Sequence, residues 1–221
     1  MGTAFDNAWK MLVIQSASDF GVDLSPSQAD QMAYHASEMT RWNKKTNITA
    51  IVNPLEMAIK HYVDSLAIVR DLPLGARLLD IGSGGGFPGF PLKVARPDIR
   101  AVLIDASRKR ISFIKSVIGS LQMTGIDAVH ARAEDLACDP EYLSSFDIVT
   151  SRALSSLDAF SGMARPFLIP GKGIILAMKG KEDSREMEGL SAHGFTATIR
   201  HYLLVPGNHK RCIVAIKPAA P

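Results

Sequence analysis

One stretch restricts the fold more than any other: Leu78-Leu79-Asp80-Ile81-Gly82-Ser83-Gly84-Gly85-Gly86-Phe87-Pro88-Gly89, where five glycines fall within eight residues straight after a short apolar run. Glycine lacks a Cβ and adopts positive φ at little steric cost, so the chain can turn tightly here and a ligand can approach the backbone closely. Pro88 suits the first turn of a helix, whose N-terminal amides carry partial positive charge. The stretch therefore reads as strand, ligand-binding turn and helix. Its glycine content exceeds what a bare turn needs.

The flanking pattern repeats that unit. Short apolar runs occur at Leu78 to Ile81, Ala101 to Asp105, Ala128 to Ala131, Asp147 to Ser151 and Gly173 to Met178. Each is too short for a globular helix, and nearly continuous apolar character marks strands covered on both faces. Amphipathic segments at Pro88 to Ala95, Lys109 to Met123, Ser156 to Leu168 and Lys181 to Ala192 alternate with them. Such alternation predicts an α/β core with a parallel sheet and right-handed crossovers. Two last runs, Thr196 to Val205 and Arg211 to Ile216, flank Pro206-Gly207-Asn208-His209 and predict a closing antiparallel hairpin. Upstream, apolar spacing is helical over residues 5 to 20, 27 to 43 and 54 to 71, with Ser25-Pro26 and Asn53-Pro54 as start signals. The expected division is a helical N-terminal extension over 1–74 packed on the core, the core over 75–217 and a frayed tail over 218–221.

Composition narrows the partner less than the motif does. With 221 residues, 47% of them hydrophobic, the chain is long enough to build a core without disulfide staples. Cys138 and Cys212 are unclustered and have no Cys/His spacing of the metal-binding kind. They are expected in the core of a protein from a reducing compartment, with no metal site. No run approaches the roughly 18 apolar residues of a membrane span, and Met1 to Lys10 has no leader-like pattern, so a cytoplasmic protein away from the membrane is expected. A net charge of +3 permits a polyanionic partner without requiring one.

Gly84, Gly86 and Gly89 satisfy the G-x-G-x-x-G pattern of dinucleotide binders, and Asp105 follows at about the right distance. Two details favour a different cofactor. Asp80, immediately before the first glycine, suits a ligand with a cationic amino group, while Phe87-Pro88 stands where a pyrophosphate would want free backbone N–H groups. Asp105 suits a ribose diol, because a carboxylate can accept from both hydroxyls. Ala133-Glu134-Asp135 follows the third run, where the topology would bring an adenine edge, although acids also favour the first turn of any helix. Asp80, Asp105 and Ala133-Glu134 at successive strand ends point to S-adenosylmethionine.

The same residues resemble a known family. Asp80 through Leu92, Leu103-Ile104-Asp105 with Lys109-Arg110, and Ser151-Arg152-Ala153 are similar to the ribosomal RNA small-subunit methyltransferase G family, also called glucose-inhibited division protein B. The likeness extends through Trp42 to Thr49, His61 to Ser65 and Met178-Lys179-Gly180, covering nearly the whole chain. It implies a class I S-adenosylmethionine-dependent methyltransferase fold: Rossmann-like, with a mainly parallel seven-stranded sheet and a C-terminal antiparallel hairpin. It further implies methylation of N7 of one guanine in 16S ribosomal RNA; the expected partner is that RNA, free or within the small subunit or an assembly intermediate, and the expected state a monomer. Cofactor contacts implied by the family fall on Gly82, Phe87, Ala133, Glu134 and Arg152, with Asp105 on the ribose; Asp80 and Gly84 join them from the motif. Phenylalanine at 87, where relatives often carry leucine, keeps an apolar contact.

Guanine N7 has an in-plane lone pair and no proton to lose. Direct attack on a sulfonium methyl then needs positioning and electrostatics, and no catalytic acid or base is assigned. RNA calls for cations near the glycine turn, which Lys109, Arg110, Arg152 and Lys179 could supply from strand ends. Asn43 and His61 are further RNA candidates. His61 and Asp64 share a helical face at i, i+3, which predicts a local hydrogen bond as readily as an RNA contact. Trp9 and Trp42 recur at helical apolar positions and read as core. The alternatives are a methyltransferase for a small metabolite, a non-catalytic RNA-binding protein of the same fold, and a nicotinamide-dependent oxidoreductase.

Overall fold

The computed structural model describes residues 4–152, 156–180 and 184–219. Its N-terminal part holds α1 (Asn7–Ser18), α2 (Pro26–Asn43), α3 (Pro54–Met57), a π-helical segment Ala58–Val63, α4 (Asp64–Leu66) and a 3₁₀ turn Val69–Asp71. Local chemistry fixes the starts. The Asp6 carboxylate accepts from the Ala8 and Trp9 amides, Ser25 and Gln28 form a reciprocal capping box, and Asn53 accepts from the Leu55 and Glu56 amides.

The core follows as β1 (Arg77–Ile81), α5 (Gly89–Ala95), β2 (Arg100–Asp105), α6 (Arg108–Ser120), β3 (Ile126–His130), α7 (Ala133–Leu136), β4 (Ile148–Ser151), α8 (Leu157–Ala164), β5 (Ile174–Lys179), α9 (Ser184–Ala192), β6 (Phe195–Leu204) and β7 (His209–Pro218). One seven-stranded sheet results, in the order β3-β2-β1-β4-β5-β7-β6. The first five strands are parallel; β7 runs antiparallel between β5 and β6. Buried Cys212-Ile213-Val214 in β7 suits a strand with neighbours on both sides, whereas β6 alternates exposed and covered residues as an edge strand can.

Strand alternation splits the apolar side chains between two layers. Leu78, Leu103, Ile148, Leu176 and Ile213 face a cluster that continues through Phe90 and Phe113 into Trp9, Met32, Met39 and Tyr62 of the N-terminal helices. Leu79, Ile104, Val149, Ile175 and Val214 face Leu136, Leu157, Phe160 and Leu190 from α7, α8 and α9. The N-terminal helices therefore have no core of their own: they complete one face of the sheet. The Trp9 indole also donates to the Pro54 carbonyl at 2.8 Å, tying α1 to α3.

Two expectations are corrected. Cys138 is exposed, because the chain leaving α7 runs over the outer surface, and of the two cysteines Cys212 alone is buried. Pro218 pairs with Phe195 in the sheet and the Ala219 amide donates to the Gly194 carbonyl at 2.8 Å, so these two residues belong to the core and not to a tail. Ala153, the start of the helix expected from Lys181 and the last two residues of the chain lie outside the described residues. Among the described residues no helix is long and apolar enough to cross a membrane.

Candidate functional site

The glycine loop leaves β1 and is held by its own backbone: Ser83 N–H donates to the Ile104 carbonyl at 2.9 Å, and the Gly86 and Phe87 amides donate to the Ser83 carbonyl at 2.8 Å. Gly82, Gly84 and Gly86 have φ of 70°, 57° and 95°. The five glycines serve different ends. A Cβ at Gly82 would meet nothing within 4 Å, and one at Gly84 only the Gly82 carbonyl at 4.0 Å. A Cβ at Gly85 or Gly86 would crowd Met39, Ile48 or Phe90 at 3.1 to 3.2 Å, and at Gly89 it would strike Leu103 and Asp80 at 2.8 to 2.9 Å. Packing thus explains Gly85, Gly86 and Gly89, while the open space before Gly82 and Gly84 is a cradle that a side chain would fill.

Asp80 is fully buried behind the loop, where its Oδ2 accepts from the Gly89 amide at 2.8 Å and its Oδ1 has no partner among the described residues. Burial pushes its pKa up to about 7 against the opposing pull of the Gly89 N–H and Arg152. It supports the turn into α5 from the back and does not reach the cavity in front of the glycines. Asp105, at the end of β2, holds the loop from the side: its Oδ2 accepts from Gly84 N–H at 2.9 Å and its Oδ1 from Ser107 N–H at 2.8 Å. Arg110 Nη1 lies 3.5 Å from the same carboxylate, which offsets the cost of a cation in the first turn of α6. Lys109 beside it is exposed. Ala133 is buried and Glu134 exposed at the start of α7, one strand beyond Asp105. Neighbouring strands are about 4.8 Å apart, so the ends of β1, β2 and β3 form a row long enough for an elongated ligand.

On the other side of β1, Arg152 follows β4 and joins the core to the N-terminal helices. Its Nη1 donates to the Lys60 carbonyl at 2.9 Å, its Nη2 donates to His61 Nδ1 at 3.0 Å, and its guanidinium carbon sits 4.9 Å from the Phe87 ring centroid. Burial lowers its pKa, while Asp64 and Asp80 pull the other way. A guanidinium can only donate, so Nδ1 of His61 accepts and Nε2 carries the proton, donating to Thr49 Oγ1 at 2.8 Å. His61 stacks on Phe87 with centroids 4.5 Å apart, and burial with Arg152 nearby takes its pKa down to about 3. It is a neutral, largely buried residue in the wall beside the glycine loop.

A hydrogen bond between His61 and Asp64, one of the two readings of their spacing, is replaced by others. Residues 58–63 wind as a π-helix, whose wider turns remove the i, i+3 alignment of an α-helix, and Asp64 instead accepts from the Tyr202 hydroxyl at 2.8 Å. Asn43 lies at the end of α2. Its Nδ2 donates to the Thr49 carbonyl at 2.9 Å, and its Oδ1 accepts from the Ile48 and Thr49 amides. Those bonds shape the loop that brings Ile48 and Thr49 against the glycines. Lys179, at the end of β5, is paired with Glu186.

Two adjoining cavities result. One of about 180 Å³ lies between the glycine loop, Ile48, Thr49, Phe87, Arg110 and the His61–Arg152 pair. The other, about 350 Å³, shares His61 and Arg152 and is closed by Lys60, Asp64, Lys179, Tyr202 and Arg211. Tyr202 and Arg211 come from β6 and β7 and were not anticipated, because only the strand order brings them to this end. A larger cavity, about 880 Å³, opens at the amino ends of β1 to β3 near Arg77 and Arg100, away from the glycine loop.

Comparison with known proteins bears on what this geometry serves. A family profile described as rRNA small subunit methyltransferase G matches residues 28–213. The ribosomal RNA small subunit methyltransferase G of Geobacter sp. (strain M21) is 46% identical over 180 residues, 81% of this chain and 82% of that one. Its namesake from Desulfitobacterium hafniense (strain Y51) is 44% identical over 166 residues, 75% and 69% of the two chains. Among solved structures, an S-adenosylmethionine-dependent methyltransferase from Aquifex aeolicus superposes with a TM-score of 0.58 over 77% of this chain and 96% of that one, at 14% identity. The B. subtilis m1A22 tRNA methyltransferase TrmK gives a TM-score of 0.56 over 73% and 68%, at 12% identity.

Proposed function

Since the chain belongs to the ribosomal RNA small-subunit methyltransferase G family, we infer that it transfers a methyl group from S-adenosylmethionine to N7 of a guanine in 16S ribosomal RNA. The observation that carries the site assignment is the open cradle before Gly82 and Gly84, whose positive φ angles and empty Cβ positions suit a ligand lying against the backbone. The groups around it fit that cofactor. Asp105 faces the ribose, Ala133 and Glu134 take the adenine end, and the smaller cavity takes the methionyl part beside Phe87 and Arg152. Bound there, the cofactor supplies an electrophilic methyl on a sulfonium.

The chain's own residues then position and exclude rather than exchange protons. Guanine N7 gives up no proton on methylation. His61 could be a base only through a free ring nitrogen, and both of its nitrogens are engaged. Arg152 fixes the π-helical wall against Phe87, so the distance between the two cavities is set by a buried guanidinium and not by a mobile loop. Lys109, Arg110 and Arg211 supply positive charge at the mouth for the RNA backbone. We place this activity in the cytoplasm, in a monomer acting on the small subunit or an assembly intermediate.

Titration with S-adenosylhomocysteine and with a nicotinamide dinucleotide tests the cofactor. Micromolar or tighter binding of the first and none of the second is expected; the reverse order would reject the reading. Transfer of a labelled methyl to small subunits from cells lacking the gene, and not to a panel of small metabolites, tests the acceptor.

A further inference from the structure

We propose that Asp64 reads the Watson–Crick edge of the target guanine, seated in the cavity of about 350 Å³ that adjoins the glycine loop. This deepens the reading of the chain as a guanine-N7 methyltransferase and rests on it. The cavity shares His61 and Arg152 with its smaller neighbour, so occupants of the two lie side by side. Its volume falls in the range of about 300–1,000 Å³ usual for small-ligand sites. Ile51, Met178 and the Tyr202 ring provide apolar surface for a base.

The charges of this cavity are uneven in an informative way. Four cations line it, and Lys60 and Lys179 are already paired with Glu56 and Glu186 outside. A phosphate backbone explains cations; it gives no reason for a buried acid among them. Asp64 is that acid, 6% exposed and lining the cavity. Burial raises its pKa against the pull of Arg152, Tyr202 and Arg211, so these partners compensate the buried carboxylate only in part.

Its hydrogen-bonding capacity is also incompletely spent. A carboxylate offers about four acceptor sites. Among the described residues the Tyr202 hydroxyl fills one, on Oδ1 at 2.8 Å. Arg152 Nη1 at 3.6 Å from Oδ2 and Arg211 Nε at 3.8 Å from Oδ1 balance charge at ion-pair distance. Guanine alone among the RNA bases presents two adjacent donors, N1–H and the 2-amino group, on its Watson–Crick edge; the others set an acceptor beside their donor. A carboxylate accepts both guanine donors and repels the acceptors of the rest. With that edge held, the five-membered ring that carries N7 is the side left for the methyl. The π-helical turn is what allows this division, because it sends His61 toward Phe87 and Asp64 toward Tyr202 from neighbouring positions.

Small subunits carrying inosine at the mapped target guanine provide the test, since inosine keeps N7 and N1–H and lacks only the 2-amino group. Wild-type protein is expected to methylate the inosine substrate with kcat/KM about 10- to 100-fold lower. Asp64→Asn should slow the guanine substrate and shrink the guanine-to-inosine ratio to about threefold or less, with S-adenosylhomocysteine binding retained. Asp64→Glu, which keeps the carboxylate, should restore part of the ratio. If Asp64→Asn does not fold, Tyr202→Phe replaces it: loss of the hydroxyl that orients the carboxylate should lower the ratio by about threefold or more. An unchanged ratio in the folded variant, or no discrimination by wild type, overturns the assignment of Asp64. Failure of wild type to methylate any small-subunit guanine overturns the underlying reading instead.

Discussion

Gly84 and Gly89 look alike in the sequence and answer to different constraints in the structure. At Gly84 an alanine meets open space but must hold φ near 57°, a cost of about 1–2 kcal/mol, and its methyl would intrude on the proposed cofactor cradle. Gly84→Ala is therefore expected to lower Tm by only a few degrees and to raise the S-adenosylhomocysteine Kd more than about 10-fold, checked by calorimetry and thermal melts. At Gly89 the methyl strikes Leu103 and Asp80 inside the core, so Gly89→Ala should lose about 1–3 kcal/mol of stability, with any loss of affinity secondary to that. Asp80 carries a pH signature. Its pKa rises from 3.8 unfolded to about 7 folded, so the native state binds the extra proton between those values and stability falls as pH rises through that window. In chemical denaturation, Asp80→Asn should remove a slope of up to about 1.4 kcal/mol per pH unit between about pH 4 and 7. The glycine pattern was legible because local backbone geometry demands it; the burial of Asp80 was not, since an acid at a strand end reads the same whichever way it points.

Among the elements, the π-helical segment does most to build the site. The N-caps at Ser25 and Asn53 were readable because capping is chemistry within a few residues, and the strands were readable from their apolar runs. Nothing in Ala58-Ile59-Lys60-His61-Tyr62-Val63 distinguishes a π-turn from an α-turn, and so the i, i+3 pairing of His61 with Asp64 failed. The order of the last two strands was hidden for a similar reason: a hairpin pattern does not say which strand lies inside, and that choice delivers Tyr202 and Arg211. Arg152 fastens the π-helical segment to the core, and removing it leaves Asp64 and Asp80 buried with less compensation. Arg152→Ala is expected to cost about 3–5 kcal/mol and to raise amide hydrogen exchange in residues 58–66 above that of β1 and β2. Equal exchange increases throughout would contradict a local fastening role.

For the whole molecule, the net charge of +3 understates the charge near the site, because the Asp80 and Asp105 carboxylates accept from backbone amides of the glycine loop while Lys109 stays on the surface. Lys109→Ala should weaken RNA binding across sequences and reduce the slope of log Kd against log salt by about 1, leaving S-adenosylhomocysteine affinity unchanged. A mechanism without a general base also predicts that, with both substrates bound, single-turnover rates stay flat across the neutral range; a steep one-proton titration abolished by one substitution other than at Asp80 would contradict it. The family match spans residues 28–213, from inside α2 to inside β7, so one unit of family sequence takes in most of the N-terminal helices and the sheet. The most direct test of that unit is to map N7-methylguanosine in 16S ribosomal RNA from cells with the gene, without it, and with it restored. One N7-methylguanosine should vanish on deletion and return on restoration; an unchanged pattern would contradict the assignment.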